Sequence, residues 1–211
     1  MPFIVGSFFY SFFSLESSVK VIIFLPALLT VLGGFKLGEK LGGTWAGVVA
    51  AALISLAPYR AVNTFVRGAV SELWGMLFAV WLLVAIIGVF KKEKWSPIWI
   101  ALTLAGLVMS HNLTVVMMFP IAFGLTLLLF ISYILENGWK FTELKPMVMR
   151  LVGGSLLGAG LASFYLIPAF IEKEFTQVES RILGGYFDYS QHFVYIRQFI
   201  KSTWSYGGSN W

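Results

Sequence analysis

The residues of this chain that could do chemistry are concentrated in one stretch, APYRAVNTFVRGAVSE, at positions 57–72. Within it Arg60, Asn63 and Arg67 are spaced i, i+3 and i+7, which predicts that they share one face of a helix. A planar guanidinium can hold a phosphate through two parallel hydrogen bonds. The pattern therefore predicts a binding site for a lipid phosphate or pyrophosphate. The predicted binding residues of this stretch are Tyr59, Arg60, Arg67 and Glu72.

The two arginines also have a simpler interpretation. Arg60 and Arg67 could extend to ordinary lipid head groups, with Glu72 merely pairing one of them. The phosphate site is favoured because loops on the outer side of a membrane normally avoid arginine. From the residues alone, both interpretations stay open.

A second polar group, SHNLT at positions 110–114, lies between two apolar runs. Histidine titrates near neutral pH, and a polar junction at membrane depth could orient a donor phosphate or an acceptor hydroxyl. His111 and Asn112 are therefore further candidate binding residues. The alternative is that these two residues only cap the helix ends of a short hairpin.

Carboxylates follow the last apolar run. Glu172, Glu174, Glu179 and Asp188 could bind a divalent cation or act as a base. Their spacing resembles no metal motif, so we identify no metal site and no cofactor, and a solvated acidic face is the other interpretation. The chain has no cysteine, which excludes disulfides, thiolate catalysis and cysteine-ligated metals.

The elements that must position these residues are membrane helices. Of the 211 residues, 58% are hydrophobic and 12% are charged, whereas soluble domains carry roughly 25% charged residues. A chain of this length cannot bury such an excess of apolar surface in its own core. The net charge of +5 does not indicate nucleic-acid binding, because the basic residues fall in short clusters between apolar runs.

We therefore predict an all-α fold, a polytopic transmembrane helical bundle with about six spans plus outer interfacial helices. A span needs about 20 apolar residues, or somewhat fewer where neighbouring helices shield its ends. The second and fourth predicted spans are the weakest. The six runs are 19–35, 44–57, 72–90, 97–108 extended to 111, 113–135 and 147–168.

Basic residues alternate between the loops of this bundle. Cytoplasmic loops collect lysine and arginine, so the loops after the first, third and fifth spans should be cytoplasmic. Loops 58–71 and 110–112 should then face the outer side, together with the C-terminal segment. The basic residues that set this orientation are Lys36, Lys40, Lys91, Lys92, Lys94, Lys140, Lys145 and Arg150.

Two end segments flank the transmembrane domain, which covers 19–168. Segment 1–18 is rich in phenylalanine and lacks the features of a signal peptide, which predicts an outer interfacial helix. Ser17 or Ser18 should cap the first span. Segment 169–211 should lie on the outer side and ends in a turn-rich aromatic stretch. We expect this segment to be truncated and the chain to be a piece of a longer membrane protein.

The order of four sequence blocks resembles a known family. The blocks are APYRAVNTFVRGAVSE, KKEK, LVMSHNLT and FYLIPAFIEKEF, and the resemblance covers about positions 2–188. The chain resembles the membrane protein family labelled 6-pyruvoyl-tetrahydropterin synthase related, whose members are similar to the GT-C polytopic glycosyltransferases. The pterin part of that label does not describe the chemistry, because His111 and His192 are too few to form a zinc-binding histidine triad.

The resemblance implies an integral protein of a prokaryotic plasma membrane that takes sugar from a polyprenyl-phosphate donor at the outer leaflet. Its partners would be membrane lipid and the lipid-linked sugar donor. Such enzymes rely on an acidic residue in a first large outer loop, which would precede Pro2, so the catalytic residue stays unassigned. Arg60 or Arg67 would hold the phosphate and stabilise the charge that develops on the leaving group.

A non-enzymatic function is the alternative. A flippase-like or scaffold subunit of envelope assembly would use the same arginines for lipid recognition alone. A secondary transporter would need ionisable residues at mid-span and an inverted repeat, and we find neither pattern in the sequence.

Overall fold

The computed structural model describes residues 1–175, and the described part is helical without any strand. The all-α prediction is therefore confirmed for these residues. A π-helical turn at Val62–Val66 and a 3₁₀ turn at Glu172–Phe175 complete the structure. The helices are α1 (Pro2–Tyr10), α2 (Leu15–Leu56), α3 (Pro58–Ala61), α4 (Val70–Phe90), α5 (Ser96–Ser110), α6 (Asn112–Asn137), α7 (Phe141–Leu161) and α8 (Ser163–Ile171).

Three of these helices, α2, α4 and α6, are long and apolar enough to cross a bilayer. A fourth span results if Phe141–Leu161 and Ser163–Phe175 are counted together. Helix α5 is apolar but has only 15 residues, or about 22 Å of helix, which is less than the roughly 30 Å of a hydrocarbon core. The chain thus has the helices of an integral membrane protein, whereas the predicted bundle of six spans is not confirmed.

Helix α2 consists of two arms and is not a single rod. Gly42 and Gly43 leave helical geometry, and Gly43 has a φ of 81°, which glycine adopts without steric cost. The chain then folds back at these glycines, which brings Ile54 so close to Gly34 that a side chain at Gly34 would collide with it. In a straight helix these two residues would be about 30 Å apart. The second arm, residues 44–56, is about 20 Å long and too short for the independent span predicted there.

The first arm of α2 packs along α4 through two indole hydrogen bonds. Pro26 has no N–H, which leaves the carbonyl of Ile22 without its helical donor. Trp74 Nε1 donates to that carbonyl at 2.9 Å, and Trp81 Nε1 donates to the Leu29 carbonyl at 2.9 Å. Both pairs are 52 positions apart, so the arm and α4 run parallel.

The core lies where α4, α5 and α7 meet. A Cβ at Gly154 or Gly158 would lie 2.7 or 2.9 Å from a backbone carbonyl of α5, so these small residues allow α7 to pack closely against α5. The most apolar window of α6 is 0% buried, as a lipid-facing helix requires. The buried cluster consists of Ala79, Leu82, Ala85, Ile86, Val89, Ile100, Leu107 and Met147.

The lysine-rich loops meet at one end of the bundle, which we call the lysine end. It comprises the turn within α2, the α4–α5 loop and the α6–α7 loop, where Lys40 pairs with Glu93 and Lys92 pairs with Glu143 at 2.7 Å. Because α4 joins this end to the arginine-bearing stretch 57–72, that stretch lies at the opposite end. Which end faces the outside stays a prediction.

The first long helix begins earlier than predicted. Leu15 is its first residue, and Ser14 is its cap, since the Ser14 side chain accepts a hydrogen bond from Ser17 N at 3.3 Å. A cap at Ser17 or Ser18 is therefore wrong. The apolar pattern starts at Val19, but a turn of helix containing Glu16 and two serines precedes it.

Candidate functional site

Arg67 is the centre of a hydrogen-bonded cluster at the end of the bundle opposite the lysine end. Its Nη1 donates to Tyr59 Oη at 2.9 Å, to Asn63 Oδ1 at 2.9 Å and to Glu72 Oε2 at 3.1 Å. The Tyr59 hydroxyl donates in turn to Oε1 of Glu72. We call these four side chains the Arg67 cluster. Both oxygens of the Glu72 carboxylate accept hydrogen bonds in this cluster, whereas the guanidinium of Arg67 takes part through Nη1.

Two irregular backbone features bring the cluster together. The first is the π-helical turn at Val62–Val66, which directly follows α3; such turns are frequent at functional sites. The second is Gly68, whose φ of 59° lies in the left-handed region that favours glycine. The chain then enters α4, and Glu72 in its first turn faces back to Arg67. A carboxylate is also favoured there by the positive end of the helix dipole.

Electrostatics keep Arg67 and Tyr59 of the cluster in defined protonation states. Burial acts to lower the pKa of Arg67, but the charge of Glu72 and the hydrogen bond to Tyr59 outweigh it and raise that pKa above its usual value. Burial, followed by the hydrogen bond to Glu72, raises the pKa of Tyr59. At neutral pH the guanidinium is therefore charged and the phenol is protonated.

The Arg67 guanidinium keeps an open edge. Arginine carries five N–H donors, and within residues 1–175 the hydrogen bonds of Arg67 all start from Nη1. The other three N–H groups are on Nε and Nη2, the edge that binds phosphate or carboxylate through two parallel bonds. Because the side chain is 48% exposed, an anion can reach this edge.

Asn63 is the buried member of the cluster, with 0% of its surface exposed. Its Oδ1 accepts from Arg67, while its Nδ2 has no hydrogen-bond partner in the part of the chain that the structure describes. The sequence pattern places Asn63 on the face predicted for the two arginines, but Asn63 is not among the predicted binding residues. Its i, i+4 spacing to Arg67 is the signal that could have identified it.

Arg60 has a different environment from Arg67. Its Nη1 donates to the Ile54 carbonyl at 3.2 Å and its Nη2 to the Ala27 carbonyl at 3.1 Å, and burial lowers its pKa. The structure thus separates the two guanidinium groups that the i, i+7 spacing was expected to place on one face. The reason is the π-helical turn between them, which turns the backbone less per residue than an α-helix does. Arg60 donates to the Ile54 carbonyl in the last turn of α2, where carbonyls have no N–H partner within the helix.

His111 is the N-terminal cap of α6. Its Nδ1 accepts from Thr114 N at 3.3 Å and lies 2.7 Å from the Thr114 hydroxyl oxygen. Because Nδ1 accepts from an N–H, the neutral ring carries its proton on Nε2, which is a donor. The capping interpretation of His111 is therefore confirmed through Nδ1. Within residues 1–175 we see no hydrogen bond to Nε2, so that nitrogen can donate to a ligand. Asn112 is the first residue of α6.

The His111 corner, formed by His111 and Thr114, lies near the Arg67 cluster. A Cβ at Gly75 would be 3.0 Å from the Thr114 hydroxyl oxygen and 3.2 Å from His111 Cβ. Gly75 follows Glu72 by three residues, which is about 5 Å along the axis of α4. The two polar groups found in the sequence are thus about one helical turn apart along α4.

An apolar cavity of about 560 Å³ opens between α6 and α7, over α4 and α5. Its wall is aliphatic and aromatic except for the hydroxyls of Thr126 and Ser155. Along α6 the cavity begins at Val115 and continues to Thr126. Since Val115 follows Thr114 directly, the cavity begins beside the His111 corner.

The acidic C-terminal segment is described only in part. Glu172 and Glu174 are exposed in the 3₁₀ turn Glu172–Phe175, whereas Glu179 and Asp188 lie outside the described residues. Among residues 1–175 no three His, Cys, Asp or Glu side chains come together in a group that could hold a metal ion. A divalent cation bound to this segment stays a prediction.

Comparison with known proteins adds no assignment: no protein-family model, curated protein or solved structure matches this chain. The resemblance to the 6-pyruvoyl-tetrahydropterin synthase related family therefore stays a prediction.

Proposed function

We propose that this chain is the membrane-embedded, lipid-binding part of a glycosyltransferase similar to the GT-C enzymes, and that it holds a polyprenyl-phosphate-linked sugar at the outer leaflet. The open edge of Arg67 is the observation that carries the proposal. Tyr59, Asn63 and Glu72 all accept hydrogen bonds from Nη1. These bonds fix the guanidinium, so Nε and Nη2 are prearranged for a phosphate. A prearranged guanidinium loses little side-chain entropy when a ligand binds.

The apolar cavity supports a lipid ligand over a free phosphate. It begins beside the His111 corner and is lined almost entirely by hydrocarbon side chains, so it suits part of a hydrocarbon chain. Burial of each CH₂ group contributes about 0.8 kcal/mol. A phosphate at Arg67 would thus anchor the polar end of the lipid, with His111 Nε2 as a second donor to the phosphate or the sugar.

In sugar transfer, Arg67 would stabilise the leaving group. Negative charge grows on the lipid phosphate as the bond to the sugar breaks, and a fixed guanidinium favours that charge in the transition state. Glu72 is 12% exposed and engaged by Arg67 and Tyr59. We therefore assign Glu72 the positioning of Arg67 and leave the catalytic base unassigned.

Lipid recognition without transfer is the second candidate function, as in a flippase-like or scaffold subunit. The engagement of Glu72 favours it, because both oxygens of this carboxylate already accept hydrogen bonds. The carboxylate that pairs with Arg67 is thus already engaged in holding the guanidinium in place.

The test uses the full chain in membranes, with polyprenyl phosphate, polyprenol and inorganic phosphate as ligands. We expect strong binding of polyprenyl phosphate, weaker binding of polyprenol and little binding of inorganic phosphate. Release of sugar from a polyprenyl-phosphate sugar, lost in Arg67→Ala, would support the transferase, whereas binding without release would support lipid recognition, which the two candidate functions share. Equal binding of polyprenyl phosphate and polyprenol would contradict both functions.

A further inference from the structure

The lysine end carries more positive charge than its carboxylates neutralise. Its loops and helix ends hold seven lysines against four glutamates, and three of those lysines are in no ion pair among residues 1–175. These three, Lys91, Lys94 and Lys145, are all exposed. The four paired lysines are Lys36, Lys40, Lys92 and Lys140, which lie within ion-pair distance of Glu39, Glu93 or Glu143.

Two of the three lysines have no carbonyl partner either within the described residues. Lys91 donates to the Lys40 carbonyl at 2.7 Å, whereas Lys94 and Lys145 make no such bond. Lys94 lies two residues before the start of α5, and Lys145 lies in the first two turns of α7. Because α5 and α7 pack against each other, with Gly154 against the Pro97 carbonyl, the two lysines are carried by neighbouring helices at the lysine end.

Exposed tryptophans place these lysines at the depth of lipid head groups. Trp95 is 59% exposed and Trp139 is 74% exposed, and both lie in the loops of the lysine end. Lys94 Nζ is 5.2 Å from the centre of the Trp95 ring. Tryptophan favours the interface between the hydrocarbon and the head groups, so a charge held over such a ring faces lipid phosphates.

We propose that the lysine end binds anionic phospholipid head groups of the leaflet it contacts, with Lys94 and Lys145 as the principal contacts. The surplus of positive charge complements a net negative head group, whereas a zwitterionic head group offers no net attraction. This surface is at the opposite end of the bundle from the Arg67 cluster. The inference is independent of the proposed sugar-lipid function.

The test measures how strongly the full chain in vesicles prefers spin-labelled phosphatidylglycerol over spin-labelled phosphatidylcholine. We expect Lys94→Gln combined with Lys145→Gln to lower this preference by about fivefold for each lysine, as about 1 kcal/mol per charge implies. The matched control is Lys20→Gln, which removes an exposed lysine paired with Glu16 at the opposite end and should leave the preference unchanged.

Two further measurements keep the result decisive if the double variant does not insert. Lys94→Arg with Lys145→Arg retains both charges and should retain the preference. Raising the salt concentration should weaken the preference of the unaltered chain, because salt screens exposed charges. A preference that is insensitive to salt, or that falls as much in Lys20→Gln as in the double variant, would overturn the proposal.

Discussion

Arg60→Ala should destabilise the protein without weakening its binding of a lipid phosphate. The substitution removes hydrogen bonds from a charged donor to the carbonyls of Ile54 and Ala27, at 3.2 and 3.1 Å. Hydrogen bonds to charged groups contribute about 1.5–3 kcal/mol each when buried. Because Arg60 is half-buried and water can replace part of the loss, we expect about 2 kcal/mol in total, or a fall in Tm of about 4–8 °C for a chain of this size.

Thermal unfolding in detergent micelles measures the stability, and equilibrium binding of polyprenyl phosphate measures the site. Arg67→Ala is the matched control. Its side chain is 48% exposed but donates to Oδ1 of buried Asn63, so its loss should also lower Tm and, unlike the loss of Arg60, should weaken binding. The structural role of Arg60 would be wrong if Arg60→Ala left Tm unchanged and weakened binding as much as Arg67→Ala does. That result would mean that both guanidinium groups contact the ligand, as their spacing in the sequence suggested.

Three further substitutions test the fold and the cluster. Gly34→Leu should push the second arm of α2 away and cost about 1–3 kcal/mol, because its side chain would collide with Ile54 and reach the Ala50 carbonyl. Gly124→Leu, in open space, should leave Tm unchanged. Trp74→Phe should lower the free energy of unfolding by about 1–3 kcal/mol, because it leaves the buried Ile22 carbonyl unsatisfied. Trp45→Phe, at a position 82% exposed, should cost little. Equal Tm values for the two variants would contradict the hydrogen bond from the Trp74 indole. Since the Tyr59 pKa is raised in the folded state, the stability that this protonated phenol adds should be present in full below pH 10 and be lost as pH rises through the raised pKa. Alkaline unfolding curves of the wild type and Tyr59→Phe should converge there, and curves that stay parallel would exclude this linkage.

The helical class and the ends of the bundle could be predicted from the sequence, because hydropathy and lysine distribution report directly on membrane burial. The number of spans could not. Positions 19–35 and 44–57 are two apolar runs separated by a short basic stretch, which looks like two spans and a loop. The break at Gly42 and Gly43 makes a hairpin whose second arm is short. The residue types do not show whether the run after these glycines is a full span or a short arm of a hairpin.

The candidate site was predicted in composition but not in arrangement. Arg67, Glu72 and Tyr59 do come together, and His111 lies about one helical turn away along α4. Arg60 does not join them, because an i, i+7 argument assumes regular α-helical rotation and the π-helical turn at Val62–Val66 breaks it. Hydropathy carries no signal for a π-turn, so this difference becomes visible only in three dimensions.

The phosphate-binding role of Arg67 is tested by the affinity of polyprenyl phosphate relative to polyprenol, in the wild type and in Arg67→Ala. Two charged hydrogen bonds to the phosphate predict that the wild type favours the phosphate form by at least about tenfold. In Arg67→Ala this preference should largely disappear, while the affinity for polyprenol stays the same. A preference that survives intact in Arg67→Ala would contradict the assignment of Arg67 as the phosphate-binding residue.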